Sequence, residues 1–154
     1  MKIASLQETL DQLATTRAGK KVVFTNGCFD LIHVGHLRYL NEARALGDLL
    51  VVGLNSDSSV KQLKGPSRPL LSEQERYEML MNLKAIDHVI LFSEETPIEL
   101  IKAIQPEVLV KGGDYTIETI VGSDLVLAKG GEVKSLQFVD GYSTTNLIDK
   151  IKNI

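Results

Sequence analysis

Two hydrophobic periods alternate along this chain, and that alternation constrains its fold more than any other feature. Short, mostly β-branched runs at Lys21–Thr25, Leu49–Leu54, His88–Phe92, Val108–Val110 and Glu132–Leu136 read as strands. Stretches Ser5–Ala14, Gly35–Leu46, Ser72–Leu83, Thr96–Ile104, Thr116–Lys129 and Ser143–Lys152 read as helices. Strands that alternate with helices through short links give an α/β fold, a parallel sheet covered on both faces. Local signals agree. Ser5 with Glu8 and Ser72 with Glu75 have capping-box spacing, and Pro97 is expected at a first helical position. Gly47, Gly130 and Gly131 follow helices, where left-handed caps are needed.

The 154 residues make one domain, 1–154, whose N-terminal helix lies within 1–18. A chain of that size buries a full core without a disulfide or metal staple. Lys+Arg 17 against Asp+Glu 20 leaves −3, which argues against a general nucleic-acid or anionic-membrane surface. The single cysteine, Cys28, excludes a disulfide framework or a cysteine zinc site and suits a reducing cytoplasm. Met1–Leu13 lacks the continuous apolar core of a signal peptide, and Leu49–Leu54 is too short to span a bilayer. A soluble cytoplasmic protein is expected.

In doubly wound sheets the ligand sits beyond the carboxyl ends of the strands, where strand order reverses. The residues to inspect therefore follow the strands. Asn55–Leu71 is the longest stretch without clear periodicity and reads as a functional loop. The segment with most chemistry runs from the first strand into the next helix: Thr25-Asn26-Gly27-Cys28-Phe29-Asp30-Leu31-Ile32-His33-Val34-Gly35-His36. Gly27 allows a tight turn and close ligand approach. Gly35 leaves space at a helix start, where free N–H groups favour an anion. His33 and His36 can point at one anion from either side of Gly35. A pair of histidines capping a helix, or an incidental zinc pair, is the competing structural reading. Neither GxxxxGK[ST] nor a GxGxxG after the first strand is present, so an ATPase or dehydrogenase has no support.

This segment resembles the GxFDxxHxGH signature of the cytidylyltransferase-like nucleotidyltransferases. The resemblance implies a Rossmann-like, doubly wound fold and two histidines that hold nucleoside-triphosphate phosphates. Asn55-Ser56-Asp57, Leu63-Lys64-Gly65, Val110-Lys111-Gly112-Gly113-Asp114-Tyr115 and Asp140-Gly141-Tyr142-Ser143-Thr144-Thr145 carry a narrower resemblance, to the heptose 1-phosphate adenylyltransferases. Those occur alone or as half of a bifunctional kinase/adenylyltransferase, and 154 residues leave no room for a kinase.

The resemblance implies transfer of AMP from ATP to D-glycero-β-D-manno-heptose 1-phosphate, giving ADP-heptose and pyrophosphate for surface-glycan supply. It implies His33, His36 and Lys64 as catalytic. Nucleotide binding falls to Thr25, Asn26, Gly27, Cys28, Phe29, Asp30, Gly35, Lys111, Gly112, Gly113, Asp114, Ser143, Thr144 and Thr145. Asp57, Lys61 and Arg76 fall to the acceptor side. For Lys61, Lys64 and Arg68 a solvated charged loop is the alternative, for Arg76 a surface ion pair, and for Ser143 simple N-capping. Mg²⁺ is expected with ATP and no residue is assigned as its ligand, Asp30 being read as ordering the signature loop. A homodimer is expected from relatives. Two departures stand out: Gly113 and Phe138 occupy positions where related cytidylyltransferases carry aspartate and arginine. A cytidylyltransferase for glycerol 3-phosphate and a non-catalytic nucleotide sensor are the alternatives. Intact His33, Gly35 and His36 argue against the sensor.

Overall fold

Strands β1 (Val22–Gly27), β2 (Leu49–Asn55), β3 (His88–Phe92), β4 (Val108–Gly112) and β5 (Glu132–Leu136) form one parallel sheet in the computed structural model, which describes residues 1–154. Their order is β3-β2-β1-β4-β5, so the chain reverses its direction of growth between β1 and β4. Seven helices surround the sheet: α1 (Leu6–Thr16), α2 (Val34–Arg44), α3 (Asp57–Lys64), α4 (Glu73–Met81), α5 (Ile98–Ile104), α6 (Ser123–Ala128) and α7 (Thr144–Lys152). The doubly wound α/β architecture expected from the sequence is the one observed.

Successive strand side chains enter two separate cores, as the two-residue period of a strand requires. Val23, Leu50, Val52, Leu54 and Val89 pack with Tyr39, Leu40 and Ala43 of α2 and with Tyr77 and Leu80 of α4. Val22, Phe24, Leu49, Val51 and Ile90 pack with Leu13 of α1, with Leu100, Ile101 and Ile104 of α5, and with Val126 of α6. This is why the strands read as continuous apolar runs. No helix is long and apolar enough to cross a membrane.

The register creates the opening at the switch point. β1 pairs with β2 along its whole length, from Val22↔Leu49 to Gly27↔Leu54. With β4 it pairs only at Val23↔Val108 and Phe24↔Leu109. Beyond Phe24 the two strands part, and Asn26, Gly27, Lys111 and Gly112 face the gap.

Four local expectations are corrected. Asp57–Lys64 is a helix, capped by Ser56, whose side chain accepts from Ser59 N–H. Only Ser59 and Val60 of this helix are buried, so no apolar period announces it. The stretch 116–129 is not one helix: a 3₁₀ turn at Ile117–Thr119 and α6 are separated by Gly122 at φ +85°. Pro97 occupies the N-cap of α5, one residue outside the helix. Of the three glycines expected as left-handed caps, only Gly130 has positive φ. Gly47 and Gly131 sit instead where a Cβ would lie 2.6 Å from a valine methyl.

Candidate active site

Three adjoining cavities run along the carboxyl edge of the sheet. A middle cavity of about 360 Å³ lies over the gap between β1 and β4. On one side it shares His36, Tyr39, Lys64, Arg68, Phe138 and Thr144 with a cavity of about 280 Å³ that also reaches His33 and Gly35. On the other it shares Asn26, Gly27, Cys28, Lys111 and Tyr115 with a cavity of about 350 Å³, which reaches Asn55, Glu95 and Thr96. The two outer cavities have no lining residue in common.

The histidines are fixed by the helix start itself. His33 is the N-cap of α2, and its Nδ1 accepts from Gly35 N–H at 3.1 Å. The His33 N–H donates to Nδ1 of His36 at 3.3 Å. The rings stack with centroids 3.9 Å apart and planes 28° from parallel. An Nδ1 that accepts a hydrogen bond carries no proton, so each neutral ring bears its proton on Nε2. Burial lowers the His33 pKa. Burial, then the nearby His33 and Lys64, push His36 down to about 4. Near neutral pH the pair is thus two uncharged Nε2–H donors. Capping and ligand binding, posed as alternatives in the sequence, are compatible here because capping uses Nδ1 and leaves Nε2.

Glycine at position 35 is required by crowding rather than by open space. A Cβ there would lie 2.9 Å from the His33 ring and 2.9 Å from Cβ of Tyr142. Similarly, a Cβ on Gly27 would meet the Phe29 ring at 2.9 Å. Phe29 itself is buried and packs in the core cluster on the α2 face. Phe29 (φ +48°) and Leu31 (φ +54°) adopt left-handed backbone that side chains disfavour by about 1–3 kcal/mol each.

Asp30, between those two, holds the strained loop. Its Oδ2 accepts from Arg68 Nε at 2.8 Å and Leu70 N–H at 2.8 Å, and its Oδ1 from Leu71 N–H at 3.0 Å. Burial alone would raise this carboxyl; the two backbone donors and Arg68 outweigh it and hold the pKa below its ordinary value. The Asp30 carbonyl accepts from Thr144 Oγ1 at 2.8 Å, docking the start of α7 on the signature loop.

The residues expected to touch ligand divide between those that line the cavities and those held within the fold or away from them. Arg76 is fully buried and donates to Leu71 O, Cys28 O, Asn55 O and Asp57 Oδ1, so its guanidinium is committed to the backbone around the site rather than to a surface ion pair. Asp57 is that arginine's partner. Thr25 is fully buried, its hydroxyl bonded to Tyr39. Gly113, at φ +119°, turns the chain and donates to Leu136 O. Asp114 and Lys61 are exposed and line none of the three cavities. Lys64 lines two of them, from the last turn of a helix rather than from a loop. The Ser143 hydroxyl caps α7 by accepting from Asn146 N–H, and Ser143, Thr144 and Thr145 all border the histidine cavity. Cys28, Lys111 and Gly112 line the middle cavity as well.

Sequence reasoning gave no site role to Tyr39, Asn55, Tyr115 or Tyr142, which line the cavities, and marked Phe138 as a departure from the family pattern. Tyr39 had a usable signal: three residues after His36, it shares that histidine's helix face. Tyr142 had no periodic signal, because irregular backbone carries no period, and Phe138 stood out only through its departure from the family pattern.

A family model described as cytidylyltransferase-like matches residues 24–150, spanning β1 through α7. The chain belongs to the cytidylyltransferase-like family. Its family chemistry is nucleotidyl transfer. The chain is 60% identical over 147 residues to the bifunctional protein HldE of Syntrophotalea carbinolica, covering 96% of this chain and 30% of that one. With HldE of Trichlorobacter lovleyi it shares 57% over 151 residues, 97% of this chain and 31% of the relative. It thus spans under a third of the length of these relatives. A lipopolysaccharide core biosynthesis protein from Thermoplasma volcanium superposes with a TM-score of 0.64 at 28% identity, covering 81% of this chain and 100% of that one. Pantothenate synthetase from Thermus thermophilus, at TM-score 0.57 and 18% identity over 90% of this chain and 62% of that one, shares the fold.

Proposed function

We propose that this domain transfers AMP from ATP to D-glycero-β-D-manno-heptose 1-phosphate in the cytoplasm, releasing pyrophosphate and ADP-heptose for surface-glycan synthesis. The observation that carries the reading is the stacked pair of neutral Nε2–H donors at the sheet's switch point, beside Lys64 and the start of α7. Identity of 60% to HldE relatives supports the choice of acceptor.

An acceptor phosphate oxygen attacks the α-phosphorus; a P–O bond forms there while the bond from α-phosphorus to the bridging oxygen breaks. The electron pair of the broken bond leaves on pyrophosphate. Such transfer asks for positioning and charge stabilisation rather than a covalent intermediate. An in-line displacement needs nucleophile, phosphorus and leaving group in a row, and three cavities that adjoin in series, the outer two sharing no lining residue, support a reading in that order. The acceptor takes the cavity with Asn55, Glu95 and Thr96, whose polar groups suit a polyhydroxylated sugar. The α-phosphate lies over the β1–β4 gap, and the leaving group meets His33, His36 and Lys64. Donors aimed at charge that grows as the bond breaks lower the barrier most. ATP arrives as its Mg²⁺ complex, the ion belonging to the substrate. Asp30 is the one carboxylate among the residues lining the middle and leaving-group cavities, and three donors already occupy its oxygens. Those two cavities therefore offer that ion no carboxylate free of partners, and Glu95 lies in the acceptor cavity. The working unit in this reading is a homodimer, which light scattering would check.

A panel of nucleoside triphosphates crossed with phosphorylated acceptors, read by pyrophosphate release, tests the reading. Turnover with ATP and the heptose phosphate is expected. Faster turnover of CTP with glycerol 3-phosphate would replace it, and no turnover with any pair would favour a sensor.

A further inference from the structure

The guanidinium of Arg68 is the most unusual polar group in the molecule. Its side chain is 15% exposed, and its Nη2 is the single buried side-chain nitrogen or oxygen without a hydrogen-bond partner. Native chains leave few such donors unmet, and each that persists calls for an explanation, a functional role among them. Asp30 does not meet it: the carboxylate takes Arg68 through Nε and gives its remaining capacity to Leu70 and Leu71. The ion pair fixes the guanidinium by one edge and leaves the other without an acceptor. Arg68 borders both the middle cavity and the histidine cavity but not the acceptor cavity.

We infer that Arg68 is a phosphate-contacting residue that receives the pyrophosphate leaving group through its Nη edge. The assignment to the leaving group rests on the proposed in-line order of the three cavities. Its chemistry differs from that of Lys64. The lysine is an exposed, mobile point charge, whereas the arginine is a planar fork held in place before substrate arrives, which suits phosphate oxygens geometrically. Asp30 thereby gains a second role. It orders the signature loop, and it aims the cation that the loop's histidines work beside.

The test is binding of inorganic pyrophosphate by calorimetry, with turnover measured in parallel. Arg68→Lys keeps the charge and can still reach Asp30, but it loses the fork. Pyrophosphate Kd should rise about tenfold or more, and kcat/KM for ATP should fall about as far, with KM for the sugar phosphate within about twofold. A Kd within about twofold of the wild type overturns the inference, whatever the melting temperature does. Should the variant fail to fold, ¹⁵N spectra of the wild type's arginine side chains decide. Pyrophosphate should shift the Arg68 Nε resonance, and an unmoved resonance overturns the inference. Pyrophosphate binding through Arg68 without turnover of ATP and heptose phosphate would leave this inference standing and remove the proposed acceptor. A wild type that binds neither ATP nor pyrophosphate would overturn both.

Discussion

Arg76 donates to the carbonyl of Cys28 at 2.7 Å from a side chain with no exposed surface. The same Nη1 reaches Asn55 O at 2.8 Å, so one guanidinium ties the ends of β1 and β2 to α4. Its alanine variant would leave buried carbonyls without donors and Asp57 without its cation. Asp57 is partly exposed, so the cost comes chiefly from the fully buried arginine and the carbonyls it leaves unpaired, about 3–5 kcal/mol together. In a domain of this size that corresponds to a melting temperature about 10 °C lower. Arg76→Lys should recover only part, because an ammonium does not reproduce the fork. Urea unfolding of the alanine variant within about 1 kcal/mol of wild type would remove the clamp role.

Much of this molecule can be read from sequence, and the unread part has a common cause. Leu49–Leu54 announces β2 because Leu50, Val52 and Leu54 fill one core while Leu49 and Val51 fill the other. Alternation alone places the ligand beyond the carboxyl ends of the strands, whereas the parting of β1 from β4 is visible only in the strand order. α3 escapes because Val60 is its single buried apolar residue. The crevice contacts escape for a related reason. Arg68 meets Asp30 across 38 residues and Thr144 meets it across 114, separations over which no local period survives. Arg76 shows the limit of residue type as a guide: an arginine near a phosphate site can as well be an anchor for the backbone around it.

His36→Ala should fold and lose chemistry. The imidazole lies at a helix start and is only half-buried, so truncation should cost about 1 kcal/mol of stability. Removing one preorganised donor to developing charge typically lowers kcat about 10²–10³-fold, or about 3–4 kcal/mol. Single-turnover rates within threefold of wild type would show that His36 does not stabilise the transition state.

The histidine pair also fixes a pH dependence. His36 falls from an ordinary 6.5 to about 4 on folding, chiefly through burial. Between those values the unfolded chain binds more protons than the folded one, so stability rises with pH across that window. The contribution is complete above about pH 6.5 and is lost progressively toward pH 4. Asp30, whose pKa is lowered from 3.8, acts in the same direction at lower pH. Chemical unfolding of wild type at about pH 4.5 and about pH 7 should therefore differ more than for His36→Ala. Equal differences in the two proteins would contradict the buried, neutral imidazole.

Gly35→Ala isolates geometry from helix propensity. Alanine at a helical position is favoured over glycine by about 1 kcal/mol. Its Cβ would nonetheless approach the His33 ring and Tyr142 to 2.9 Å, displacing one of them. Stability should change by less than about 1 kcal/mol while kcat/KM falls tenfold or more, because a misplaced donor loses most of its effect. A variant of unchanged kcat/KM would mean that the stacking of His33 on His36 is not needed.

Base choice is the last expectation, and the phosphate site does not decide it. In the proposed reading His33, His36 and Lys64 address groups that every nucleoside triphosphate carries. Discrimination must come from other groups lining the middle cavity, where Phe138 packs over Gly112 closely enough that a Cβ there would meet its ring at 2.9 Å. The ring is 63% exposed, with its centroid 6.3 Å from that of Tyr39. An aromatic face offers a purine more stacking area than a pyrimidine, and it brings no charge. Backbone groups of the parted strands then read the base edge, and a base of the wrong pattern leaves them unpaired. ATP should accordingly exceed CTP by at least tenfold in kcat/KM, about 1.4 kcal/mol. Phe138→Ala should narrow that ratio, mainly through KM for ATP, and should leave stability within about 0.5 kcal/mol because the ring is so exposed. A ratio unchanged in Phe138→Ala would move base reading off this ring, and CTP equal to ATP in the wild type would return the chain to the cytidylyltransferase chemistry of its family.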